Sequence, residues 1–106
     1  MSSVTVVVGF AIPERMSGDE INAAFQKSIP KYQSVPGLER KYYLKSDDGN
    51  TVGGVYLFES REAAEKLFNE EWRASVKKRY GAEPEVRYFE TPIVVDNLSG
   101  TVTGDT

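Results

Sequence analysis

Apolar positions along the chain switch between a two-residue and a three-to-four-residue period, and each switch marks the edge of an element. Val4 to Ala11 is β-branched and almost wholly apolar, with no polar face. A strand of that kind is central and covered on both sides. Pro13 closes it, and Ser17-Gly18-Asp19-Glu20 then has the form of a capping box, Ser17 as N-cap and Glu20 reaching back. Behind it Ile21, Ala24, Phe25, Ile29 and Tyr32 form one buried helical stripe, and Pro30 within it is expected to kink or end the helix. Val35-Pro36-Gly37 is a turn. From Leu38 to Ser46 the pattern alternates, with Leu38, Tyr42 and Leu44 on one face and Glu39, Lys41, Tyr43 and Lys45 on the other. Asp47-Asp48-Gly49-Asn50 supplies hairpin chemistry, and Thr51 to Glu59 returns as a strand with neither face polar. Ser60 caps a second helix with Ala64, Leu67, Phe68, Trp72 and Val76 as its stripe. Lys77-Lys78-Arg79 suits the negative end of its dipole, and Gly81 the position just past its end. Glu85 to Glu90 is a fourth strand, Pro92 interrupts it, and Ile93-Val94-Val95 is a candidate short extra strand.

The order β-α-β-β-α-β is the ferredoxin-like arrangement of the α+β class. Right-handed crossovers place both helices on one face of a single antiparallel sheet. A lone subunit would leave the opposite face wet, and a wet face alternates to polar residues. The first and third strands carry apolar residues on both faces instead, and the fourth offers an aromatic to each. Exposed apolar area costs about 25 cal/mol per Å². The expected solution is a homodimer formed through the helix-free sheet face, sheet to sheet about a two-fold axis. Residues 1–97 are expected to form this domain and residues 98–106, small and polar, a flexible C-terminal tail.

A length of 106 residues fits one domain. The chain has no cysteine and no histidine, which excludes disulfides, thiol nucleophiles, imidazole bases and zinc sites of soft or imidazole ligands. A net charge of −3 argues against nucleic-acid binding. The run from Gly53 to Ser60 is similar to the third-strand signature of RNA-recognition domains, but Gly53 and Val55 stand where base-stacking aromatics are needed. No basic leader and no run near the roughly 18 apolar residues of a membrane helix is present, so a cytoplasmic location without membrane contact is expected.

Gly53-Gly54 is poor strand material and implies either tight packing or space beside the backbone. Tyr42, Tyr43, Tyr56, Phe58, Phe68, Trp72, Tyr88 and Phe89 can approach the space between sheet and helices, most as plain core and a minority as walls of an apolar substrate pocket. Asn69, Trp72 and Arg73 cluster in the middle of the expected second helix, with Asn69 at the edge of the apolar stripe, where it reads as a hydrogen-bonding group or, with Arg73, as a solvent-facing flank of a core Trp72. Arg87 stands beside Phe89 and reads equally as an ion-pair partner on an edge strand. The acidic pairs Asp19-Glu20, Asp47-Asp48 and Glu70-Glu71 fit cap, turn and solvated face, and no metal site is read from them.

Val35-Pro36-Gly37-Leu38 before a strand, Gly53-Gly54-Val55-Tyr56-Leu57-Phe58-Glu59-Ser60 running into a helix, and the closing Thr91 to Asn97 resemble the YdhR-type monooxygenases. That family belongs to the dimeric α+β barrel superfamily, with the antibiotic-biosynthesis monooxygenases, and the resemblance covers Val4 to Asn97. It implies a homodimer that oxygenates a small aromatic or polyketide-like substrate with no flavin, haem or metal. Asn69, Trp72 and Arg87 are the catalytic set it implies, Asn69 and Arg87 holding the substrate oxygen. Tyr56 and Trp72 would shape the pocket, with Tyr42, Phe58, Phe68 and Arg73 as further substrate contacts. The alternative is a non-catalytic homodimeric module that binds a small hydrophobic ligand.

Overall fold

The computed structural model describes residues 3–13 and 16–104. In chain order the elements are β1 (Ser3–Ala11), α1 (Gly18–Gln33), β2 (Leu38–Lys45), β3 (Thr51–Phe58), α2 (Arg61–Leu67), α3 (Glu70–Tyr80), β4 (Glu85–Thr91), β5 (Ile93–Asp96) and β6 (Thr101–Gly104). The first four long strands form one antiparallel sheet in the order β2-β3-β1-β4, and β5 and β6 form a separate hairpin. This is the expected ferredoxin-like α+β fold. The apolar β1 occupies an interior position in the sheet, as its composition demands. Val4, Val6 and Val8 on its helix-facing side are buried with Tyr56 and Phe58 of β3, Ala64 and Phe68 at α2, and Trp72 of α3. No helix among the described residues is long and apolar enough to cross a membrane.

Local chemistry sets the boundaries. The capping box at Ser17 forms in both directions: Glu20 N–H donates to Ser17 Oγ at 3.1 Å, and Ser17 N–H to Glu20 Oε1 at 2.9 Å. Gly37, Gly49 and Gly81 adopt positive φ, the last as the left-handed cap that ends α3.

In four places the structure departs from the pattern. The first helix runs through Pro30 to Gln33. The last turn carries Tyr32 onto the core, and that packing outweighs the missing backbone donor. On β2 the register shifts between Leu38 and Arg40, so Leu38 turns to the core while Tyr42 and Leu44 turn to the open face. The second helix is two helices, α2 and α3, with Phe68 and Asn69 between them. Finally, the segment expected to be loose supplies β6, whose Thr101 to Gly104 pairs with Asp96 to Ile93. Alternating Thr and Val at 101–103 is strand material once β5 offers an edge.

Candidate active site

Between the sheet and helices α1 and α3 lies a cavity of about 180 Å³. Its position follows from alternation: residues of β2 and β3 that point to the helix side form its floor, and the inner stripes of the helices form its walls. Tyr32 of α1, Tyr43 of β2 and Tyr56 of β3 surround its centre, with ring centroids 6.2 Å apart for Tyr32–Tyr43 and 5.8 Å for Tyr32–Tyr56. Phe25, Trp72, Val76, Tyr80 and Phe10 extend the apolar lining.

Inside this ring of tyrosines sits Lys41. Its register partner is Tyr56, so its side chain rises from β2 on the helix side. The Nζ atom lies 3.3 Å from the centroid of the Tyr32 ring, 3.8 Å from that of Tyr43 and 4.7 Å from that of Tyr56. Among the described residues no carboxylate lies within ion-pairing distance of it. Burial pushes the Lys41 ammonium down to about 7, and the positive charges of Lys31 and Arg79 push it the same way. Tyrosine faces favour the charged form. The balance near neutrality populates both amine and ammonium.

The polar atoms around it form a directed network. Trp72 Nε1–H donates to Tyr32 Oη at 2.9 Å, which leaves the Tyr32 hydroxyl hydrogen to donate elsewhere. Ser28 Oγ donates to the Phe25 carbonyl at 2.8 Å. Tyr43 therefore donates to Ser28 Oγ, 2.6 Å away. Burial raises the Tyr43 and Tyr56 phenols above their ordinary value, so both are neutral donors rather than bases at neutral pH.

The glycine pair makes room for this arrangement. A Cβ on Gly54 would lie 2.9 Å from the Tyr42 carbonyl oxygen, 3.3 Å from the Tyr56 ring and 3.4 Å from Lys41 Cε. A Cβ on Gly53 would strike the Val8 carbonyl. Close strand packing therefore holds both positions to glycine, and at Gly54 the Tyr56 ring and the lysine stem close in as well.

The residues singled out in the sequence scatter. Trp72 and Tyr56 line the cavity. Asn69 is exposed and caps α3: its Oδ1 accepts from Trp72 N–H at 2.9 Å and its Nδ2 donates to the Lys66 carbonyl at 3.2 Å. Both ends of its amide are committed to joining α2 to α3. Arg87 projects from the open face of β4, its guanidinium 5.1 Å from the Phe89 ring centroid. Asn69, Trp72 and Arg87 are therefore not brought together. Tyr42 is 54% exposed on the open face, Phe58 and Phe68 are core, and Arg73 donates to the Pro84 carbonyl at 3.5 Å. The sequence reading missed Lys41; it placed Tyr43 near the space between sheet and helices and Tyr32 on the buried helical stripe, and gave neither a part in the site. Lys41 falls on a face that alternates with charge and reads as solvated. The signal that finds it is the hairpin register, which sets it opposite an aromatic of an all-apolar strand. Among the described residues no group of three or more His, Cys, Asp or Glu side chains is placed to hold a metal ion.

The family profile described as "Putative mono-oxygenase ydhR" matches residues 6–94. None of the curated proteins matches the chain. Among solved structures, ActVA-Orf6 of Streptomyces coelicolor, a monooxygenase in complex with Nanaomycin D, superposes with a TM-score of 0.67 at 19% identity, over 85% of this chain and 88% of that one. SnoaB of Streptomyces nogalater, a cofactor-independent oxygenase, gives 0.67 at 16%, over 90% and 98%. Rv0793 of Mycobacterium tuberculosis gives 0.64 at 20%, over 88% and 97%. At these identities the likeness is one of fold.

Proposed function

The chain belongs to the ydhR family, and on that footing we propose that it oxygenates a small ionisable aromatic substrate without a cofactor, in the cavity between sheet and helices. One observation carries the reading: an aromatic-walled cavity of about 180 Å³ encloses a lysine amine that no described carboxylate neutralises. The fold supports it, since SnoaB is a cofactor-independent oxygenase on this architecture.

The substrate this chemistry needs is a phenol with an unsubstituted para carbon, which in its keto form is a CH₂. Lys41, as the amine, takes a proton from the substrate and leaves a phenolate. The Tyr32 hydroxyl, fixed through its oxygen by Trp72, donates its hydrogen to the oxyanion. The phenolate passes electrons to O₂ and a C–O bond forms at the para carbon. The resulting peroxide anion takes a proton back from the Lys41 ammonium. Lys41 then removes the second hydrogen from that carbon as the O–O bond breaks and hydroxide leaves, and hydroxide and the ammonium proton combine as water. The net change is R₂CH₂ + O₂ → R₂C=O + H₂O. Electrons from the substrate itself reduce O₂, so no external reductant enters. Tyr56 and Trp72 are walls that exclude water from the charged intermediate.

The proposal includes a homodimer joined through the helix-free sheet face. That face carries Val7, Val55 and Leu57 at its centre and the exposed Tyr42, Leu44 and Phe89 around them. The β5–β6 hairpin adds exposed Ile93, Val95 and Val102. Apolar surface of that extent fits burial against a second copy.

Oxygen uptake by metal-free protein, with one-ring phenols and with anthrone, tests the reading. The expected kcat/KM rises with pH through about 7, because only the unprotonated Lys41 is a base, and Lys41→Met lowers it roughly 10²-fold. Uptake no faster than the buffer blank with every substrate would remove the oxygenase and leave the ligand-binding module.

A further inference from the structure

Lys27 and Lys31 of α1, Lys41 of β2 and Arg79 of α3 all line the cavity, and among the described residues no acidic side chain does. In a chain of net charge −3 this concentration of one sign is not an average of the surface. Among the described residues none of the four forms a salt bridge. Lys27, Lys31 and Arg79 are exposed at the mouth, whereas Lys41 is half-buried among the rings. Charge and aromaticity are therefore layered, cations outside and ring faces inside. The space is small as well: a dry cavity of about 150 Å³ holds a benzene, so about 180 Å³ accommodates one ring and a small substituent.

From this layering we propose that the site selects one-ring aromatic carboxylates, with the ring among Tyr32, Tyr43 and Tyr56 and the carboxylate at the mouth between Lys31 and Arg79. The cations at the mouth lower the affinity of Lys41 for a proton when the site is empty, through their charge on the amine. A bound carboxylate cancels that repulsion. A guanidinium and an ammonium converging on one mouth suit a carboxylate, which accepts charge-assisted hydrogen bonds from both. A hydroxyl meta to the carboxylate would then point inward to Lys41. This inference takes its substrate class from the oxygenase reading, but ligand selection is a property of the empty cavity and is measured without O₂.

Trp72 is the only tryptophan of the chain and lines the cavity, so its fluorescence reports occupancy directly. The probes are 3-hydroxybenzoate, its neutral counterpart 3-hydroxybenzyl alcohol, and acetate, titrated anaerobically. The carboxylate is expected to quench Trp72 saturably, at least about tenfold more tightly than the alcohol. Acetate should bind no better than the alcohol, and added salt should weaken only the carboxylate. A Lys31→Gln, Arg79→Gln double variant, both sites exposed, should lose about tenfold for the carboxylate and nothing for the alcohol. Equal affinity for carboxylate and alcohol, or a double variant that binds both as the wild type does, overturns the proposal. Selective binding with no O₂ uptake keeps this proposal and sinks the oxygenase, and O₂ uptake with no preference for the carboxylate does the reverse.

Discussion

A lysine placed inside a ring of tyrosines gives up hydration, and burial of its charge opposes folding. In the unfolded chain Lys41 titrates near its ordinary value, and in the fold burial brings it to about 7. The unfolded state therefore binds more protons between those two values, and stability from this group rises with pH across that window. Below about 7 both states are protonated and the folding cost of the charge is felt in full. Lys41→Met should accordingly stabilise the protein, by about 1–2 kcal/mol at pH 6 after allowing for the tyrosine faces that offset burial. The gain should shrink as pH approaches 10, and thermal melts at both pH values measure it. A melt of Lys41→Met equal to or below wild type at pH 6 contradicts the placement. Trp72 acts differently, through Tyr32: Trp72→Phe keeps the packing and removes the donor at 2.9 Å, so kcat should fall with KM little changed. None of this was legible in composition, because Lys41 in isolation is one of 13 basic residues.

At the level of elements, the break between α2 and α3 decides what Asn69 is. Asn followed by Glu70-Glu71 is an N-cap pattern, with acids in the first turn at the positive end of the helix dipole. The apolar stripe from Ala64 to Val76 continues across the break and hides it, since both helices bury the same side. Asn69→Ala should cost roughly 1 kcal/mol of stability, as loss of a cap does. Its kcat/KM should stay within a few-fold of wild type, a readout that a catalytic Asn69 would fail. The bulge on β2 has a parallel effect, since one extra residue at Glu39 separates Leu38 from Tyr42 and puts Tyr43 and Lys41 inside. Gly54→Ala tests the fit of that strand: the added Cβ meets Tyr42 backbone and the Lys41 stem. It should destabilise the protein by about 1–3 kcal/mol. By moving the amine toward water it should also shift the pH midpoint of activity upward.

For the whole molecule the two faces of the sheet carry different duties. The helix side holds the core and the cavity, and the open side holds apolar residues, of which Tyr42, Leu44 and Phe89 stay exposed among the described residues. Light scattering should give twice the subunit mass at micromolar concentration. Leu44→Asp with Phe89→Asp, both exposed and both on the open face, should yield monomers. Because the cavity lies on the other side of the sheet, 3-hydroxybenzoate should still quench Trp72 in those monomers. A wild-type monomer would remove the dimer and leave the cavity argument standing. The ion pair of Arg40 with Asp96, 3.6 Å, ties β5 to β2. That contact places the hairpin beside the same open face, and pairing with β5 gives Thr101–Gly104 a structural part that their small polar composition concealed.

Periodicity, capping chemistry and turn residues by themselves determined the fold class, because each acts within a few residues of chain and the β-α-β-β-α-β order then admits few topologies. The two-faced apolarity of β1 and β3 was equally readable, being a count of side chains on a fixed two-residue period. The site was decided only by tertiary structure. Whether Lys41 faces water or Tyr56 depends on a hairpin register and one bulged residue, and whether Asn69 is a ligand or a cap depends on where a helix breaks. Neither leaves a mark in a pattern of period two or 3.6. An amine is displaced toward neutrality only when rings from three separate elements and cations from two helices converge on it, and that convergence exists in space and nowhere along the chain.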